Sequence, residues 1–207
     1  MKSVLLVFAA VVVVALLVAA ITIVPMVRSG LSAHDEPTRI EATLARMVRH
    51  WAVPSELRDM KNPMPLTPAV LADGRAHFAG HCAVCHGNDG KGTGGMGKQM
   101  YPRAPDMTLE ATQSLSDGEL FAIIENGVRL TGMPGFGSGT AESATGSWAL
   151  VHFIRHLPKL TPAEIAEMEK LNPKSPAEFE AMKAEEEFLR GDTSSTARHE
   201  TAPAHHR

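Results

Sequence analysis

The chain has 207 residues, a formal net charge of −3 and 5% aromatic residues. With 17 Gly and 14 Pro it predicts abundant loops around a small core, one that a large flat apolar group would complete. The acidic balance, and the lack of a basic stripe interleaved with aromatics, exclude a nucleic-acid binder.

From Val4 to Val24 there is no charged residue, and Ala, Val, Leu and Ile dominate. As a helix this run would reach about 31 Å, enough to cross a bilayer core. A cleavable signal is the competing reading, but its apolar stretch is ordinarily about 7–15 residues long. Val18-Ala19-Ala20, a fair small-residue cleavage site, lies inside the run. Residues 1–27 are therefore read as a transmembrane anchor, with a cleaved signal as the alternative.

Residues 28–65 follow as a juxtamembrane helix and linker. Ile40, Leu44, Met47, Val48 and Trp51 recur at helical spacing until Pro54 stops the pattern. This amphipathic helix reads as a stalk packed on the next domain or on the membrane surface. "SELRDMKNPMPLTP" reads as an extended, proline-punctuated connector.

A compact unit starts at residue 66. Thr67 can cap a helix with Pro68 at its first position. Val70, Leu71, Gly74, Phe78 and Cys82 share one face at three- and four-residue steps. Gly74 in mid-helix costs roughly 1 kcal/mol against Ala, which predicts close approach of another helix.

The helix runs into Cys82-Ala83-Val84-Cys85-His86, which holds both cysteines of the chain. A structural zinc site would need a second pair of ligands, and there is no second Cys pair. A thioredoxin-like redox site would need a preceding strand, where this sequence predicts helix. The third reading explains the histidine. C-x-x-C-H is the attachment signature of c-type haem, with the thiols joined to the two vinyl groups and His as proximal iron ligand. Covalent attachment of this kind implies a domain outside the cytoplasm, hence an anchor with its N-terminus inside, and it consumes both thiols as thioethers.

A second axial ligand is sought among the methionines. Ser116-x-x-Glu119 is a capping box, Leu120, Phe121, Ile124 and Val128 form an apolar face, and Gly127 can end that helix. The Gly-rich loop that comes next carries Met133-Pro134, and a Met on a tight loop is a poor core residue. Met133 is read as the distal ligand. Met96, Met100 and Met107 are read as gap-filling core.

"GRAHFAGHCAVCHGNDGKGTG", "LFAIIENGVRLTGMPGFG" and "WALVHFIRHLP", in that order, resemble a class I monohaem c-type cytochrome, in particular the cytochrome c domain of cbb3-type oxidase subunits. The resemblance covers about residues 66–158. It implies an all-α, class I cytochrome c fold around one covalently bound haem c. Cys82 and Cys85 would carry the haem, with His86 and Met133 as axial ligands. Gly74 and Phe78 would pack against the helix of Trp148 and Phe153. In "YPRAPDMT" the Pro105 carbonyl would accept the proximal imidazole N–H, and Arg103 would meet a haem propionate or stay solvated.

The closing helix is expected over Ser147–Leu157. Its His152 and His156, four apart, are read as solvated. Residues 159–190 are a helical extension with two more capping boxes, Thr161-x-x-Glu164 and Ser175-x-x-Glu178, and Ile165, Met168 and Leu171 are expected to pack back. Residues 191–207, with His199, His205 and His206, read as a disordered tail.

An iron closed on both sides by protein changes by one electron with little rearrangement and does not readily bind O2 or peroxide. The expected function is therefore a membrane-tethered one-electron carrier of a respiratory chain, not an enzyme, either alone or as a subunit of an oxidoreductase complex. Its partners would be redox proteins at the same membrane, with no small-molecule substrate. The expected location is the inner cell membrane, single-pass, with the cytochrome domain periplasmic. The alternatives are a peroxidase-like haem enzyme or a haem-based sensor, both with an open iron site.

Overall fold

A computed structural model describes residues 2–28 and 32–190. Among these residues all regular structure is helical. The apolar run forms α1 (Lys2–Arg28), whose apolar window has no buried share. It is long and apolar enough to cross a membrane.

The amphipathic pattern forms α2 (Arg39–Ala52), capped by the Thr38 hydroxyl, which accepts from the Glu41 N–H. The connector after it is not fully extended. Pro54 presets the backbone for one turn, α3 (Ser55–Arg58), and the N–H groups of Leu57 and Arg58 both donate to the Pro54 carbonyl.

The remaining helices are α4 (Pro68–His77), α5 (Ala83–His86), α6 (Glu110–Gln113), α7 (Asp117–Asn126), α8 (Ala141–His156), α9 (Pro162–Leu171) and α10 (Pro176–Leu189). Thr67 caps α4 with Pro68 at its first position, and Ser116 and Glu119 cap α7 reciprocally. Helix α8 begins at Ala141, earlier than the apolar run suggested. The Thr140 hydroxyl caps it, and its first turn is polar and mostly exposed, so hydrophobic periodicity carries no trace of it.

The core is the crossing of α4 over α8. A Cβ on Gly74 would stand 2.3 Å from the Ala149 carbonyl oxygen, so only glycine lets the two backbones meet. Below that contact Phe78 and Phe153, both fully buried, bring their rings to 5.2 Å. Trp148 stacks on Phe121 at 4.1 Å and joins α7 to α8. Leu120, Ile124, Leu150, Val151, Ile154 and Leu157 fill the remainder. Burying a side chain of this size stabilises by about 1.5–3 kcal/mol.

The chain divides into two compact units after Leu171. Helix α9 belongs to the first unit. Met168 is fully buried and Ile165 half-buried, whereas Leu171 remains exposed. Arg75 pairs with Glu167 at 2.9 Å and His156 with Glu164 at 2.9 Å. In the second unit α10 opens with its own reciprocal cap between Ser175 and Glu178. The tail with His199, His205 and His206 lies outside the described residues.

Candidate functional site

Helix α4 does not run straight into the cysteine motif. Over Phe78–Cys82 it widens into a π turn, where the Ala83 N–H reaches back to the Phe78 carbonyl. The extra residue rotates the downstream turn relative to the Gly74–Phe78 face. It delivers Cys82, Cys85 and His86 at the end of one continuous helical segment, with the register changed just before the chemistry.

Burial dominates the electrostatics of the three side chains. Burial, with the Cys85 thiol beside it, pushes Cys82 up to about 12, and burial also raises Cys85. Burial therefore disfavours the thiolate form at both sulfurs. Burial pushes His86 down, partly offset by the Pro105 carbonyl, so the ring is neutral and has a lone pair to give. Its Nδ1 is buried without a formed hydrogen bond, and the Pro105 carbonyl is the backbone group that acts on the ring. A buried polar nitrogen without a partner asks for a function.

The glycine-rich loop after His86 folds back onto the motif. Gly92 donates its N–H to the His86 carbonyl at 2.8 Å, and Met107 donates to the Gly90 carbonyl at 2.8 Å. A Cβ on Gly97 would fall 2.0 Å from the Cys85 carbonyl oxygen, and Ala104 donates to the Gly97 carbonyl at 3.1 Å. These contacts bring the Pro102–Pro105 segment to the histidine.

Met133 arrives from the other side of the chain. Its loop is pinned to the end of α7: Val128 donates to the Met133 carbonyl at 3.1 Å, Met133 donates to the Thr131 hydroxyl at 3.1 Å, and Phe136 donates to the Ile124 carbonyl at 2.9 Å. The Met133 side chain is half-buried. The other methionines separate. Met107 is buried as a core residue, but Met96 is 53% exposed and fills no gap. The Met100 thioether lies against Gly132, next to Met133, a neighbour the sequence did not reveal.

Three further residues have partners the sequence did not suggest. Arg103 pairs with Glu36 at 3.1 Å and donates to the His34 carbonyl at 3.1 Å. His152 and His156 are not solvated: each is half-buried, His152 against the Met64 carbonyl at 2.9 Å and His156 against Glu164. A cavity of about 260 Å³ beside Cys82 is lined by His77, His81, Phe136, Ser143, Ser147 and Leu150.

Among the described residues no group of three His, Cys, Asp or Glu side chains can hold a metal ion. No strand leads into the cysteines, as a thioredoxin-like site would require. Two buried or half-buried thiols, a buried imidazole with the Pro105 carbonyl as its backbone partner, and a thioether on a separate loop fit a haem. These helices with this donor set define a class I cytochrome c domain.

The family comparison agrees. Residues 69–154 match the family model described as cytochrome c oxidase, cbb3-type, subunit III. No curated protein matches the chain. A domain of this kind binds haem c and serves as a haem-based electron carrier.

Proposed function

We propose that this chain is a membrane-tethered one-electron carrier of a respiratory chain, with one haem c held covalently. Cys82 and Cys85 would each add S–H across one vinyl group, sulfur to one carbon and hydrogen to the other, so no oxidant is needed. His86 would be the proximal ligand, oriented by the Pro105 carbonyl, and Met133 the distal one. Arg103 is a weaker candidate for a propionate, since two of its nitrogens already serve Glu36 and His34. When bound, the haem supplies a one-electron couple, and a Met/His pair sets it high relative to other ligand pairs.

The observation that carries this reading is the buried His86 imidazole, with the Pro105 carbonyl as its backbone partner, directly behind Cys82 and Cys85 on one continuous helical segment. The rest of the chain agrees with it. The domain division proposed is 1–27 anchor, 28–65 juxtamembrane helix and linker, 66–158 cytochrome, 159–190 extension and 191–207 tail. The anchor would place the domain on the periplasmic side of the inner membrane, near redox partners in the same membrane, which raises their effective concentration.

The test is full-length protein matured in a host competent for haem attachment. Its reduced pyridine adduct should report one haem per chain that resists extraction by acidified organic solvent. The oxidised protein should show a sulfur-to-iron band near the red end of the visible spectrum. Met133→Ala should abolish that band and Met100→Ala should keep it. Extractable pigment would refute the covalent reading. A band that survives Met133→Ala would move the ligand elsewhere, and the absence of any band in the parent protein would favour the open iron of an enzyme or sensor.

A further inference from the structure

Helix α2 has a face that no described residue covers. Ile40, Leu44, Met47, Val48 and Trp51 fall on one stripe at i, i+4, i+7, i+8 and i+11, and they are 42–72% exposed. No residue of the helix is buried. Its most covered positions are Ala42 and Arg49, which the helical period places opposite the stripe. The apolar face therefore points away from the cytochrome domain.

The other side of α2 and its flanks are bound to that domain at both ends. Near the start, the Tyr101 hydroxyl donates to Glu41 at 2.5 Å and Arg103 pairs with Glu36. Near the end, His50 meets Glu119 at 2.6 Å, and Arg58 reaches the His50 carbonyl at 3.2 Å. The helix is held as a fitted part of the domain, with its greasy side outward.

We propose that this face is a lipid-binding surface, and that α2 lies in the headgroup region of the bilayer that α1 enters. Three observations select lipid over a protein partner. The helix starts eleven residues after Arg28, a reach of at most about 40 Å at ~3.3–3.6 Å per residue, so α2 stays close to the end of the span. Of its charged residues, Arg49 and His50 turn to the domain, which leaves Arg39 and Arg46 against Glu41 in a chain of net charge −3, a local excess that suits anionic headgroups. Trp51 sits at the end of the stripe with its indole 71% exposed, a residue type that favours the interface. Because the polar side of α2 is bonded to the domain at both ends, seating it fixes which side of the domain faces the membrane.

The lipid proposal relies on the anchor reading only for this closeness. Nitroxide labels on Leu44→Cys and, separately, Arg46→Cys test it in full-length protein, reduced and reconstituted in vesicles of phosphatidylcholine with phosphatidylglycerol. Unsubstituted protein gives the labelling background. Relaxation by dissolved oxygen and by a water-soluble nickel chelate should rank the two sites oppositely, with the Leu44 label oxygen-accessible and shielded from nickel. A Leu44 label that meets nickel as freely as the Arg46 label overturns the proposal. So does a Leu44 label shielded from both reagents, which would mark a protein partner or a second copy on this face. Alkaline carbonate extraction of the same vesicles reports on α1 separately: release would refute the anchor while the labels still report on α2.

Discussion

Helices α2 and α8 are built by the same local rules and end in opposite environments. Each opens on a threonine whose hydroxyl accepts a backbone N–H three residues on, Thr38 from Glu41 and Thr140 from Ser143. Each closes with an arginine and a histidine in its last turn, where the helix dipole favours them. Yet α8 buries seven residues from Ser147 to Ile154, and α2 buries none. Capping makes a helix, and the distribution of apolar residues around it decides where it can lie. Past its polar first turns α8 is apolar over a broad arc and is covered by α4 and α7. The apolar residues of α2 form a single stripe with arginines behind it, so the domain takes the polar side and leaves the stripe exposed.

Truncating α8 in the core should have the largest effect. Phe153→Ala removes a fully buried ring that packs on Phe78 and should cost about 3–5 kcal/mol in denaturant unfolding of the detergent-solubilised holoprotein. A loss as small as a surface substitution would mean that the contact of α4 with α8 is not the centre of the fold.

The bond between α2 and α7 should come next, and it depends on pH. Glu119 is nearly closed off, and burial alone would raise its carboxyl. The Ser116 backbone and hydroxyl and the His50 ring together outweigh that and hold it below the ordinary value. The unfolded chain therefore takes up this proton first as the pH falls. The stability the carboxylate contributes is complete above the ordinary carboxylate range and is lost as the pH drops toward the lower folded value. Glu119→Gln should cost about 1–2 kcal/mol at neutral pH and flatten the acid limb of stability against pH. An unchanged acid limb would show that other carboxylates govern it.

The smallest effect should be on the exposed stripe. Trp51→Ala should change unfolding in detergent by less than about 0.5 kcal/mol. A cost near that of Phe153→Ala would mean that the stripe is packed against the protein, and the contrast between the two helices would disappear.

Much of this molecule was legible from short-range chemistry. The caps at Thr67, Ser116, Thr161 and Ser175 depend on residues within one turn and could be read directly. The demand of Gly74 for a close helix was legible because glycine in mid-helix is costly without such a neighbour. The π turn at Phe78–Cys82 left no mark, since "FAGHC" has the composition of an ordinary helix and the widened turn depends on what it packs against. The early start of α8, the partners of His152 and His156 and the exposure of Met96 escaped for a related reason: each depends on residues distant in sequence.

The order of amino acids alone determined most of the helices, their caps and the spacing of Cys82-x-x-Cys85-His86, because those depend on neighbours three or four positions apart. Only the folded chain decided that the glycine-rich loop folds back onto the cysteine motif, that the Met133 loop is fastened to α7 and that α2 turns its stripe outward. Those outcomes depend on which backbones come close enough to exclude water, and that is settled when distant segments compete for the same surface.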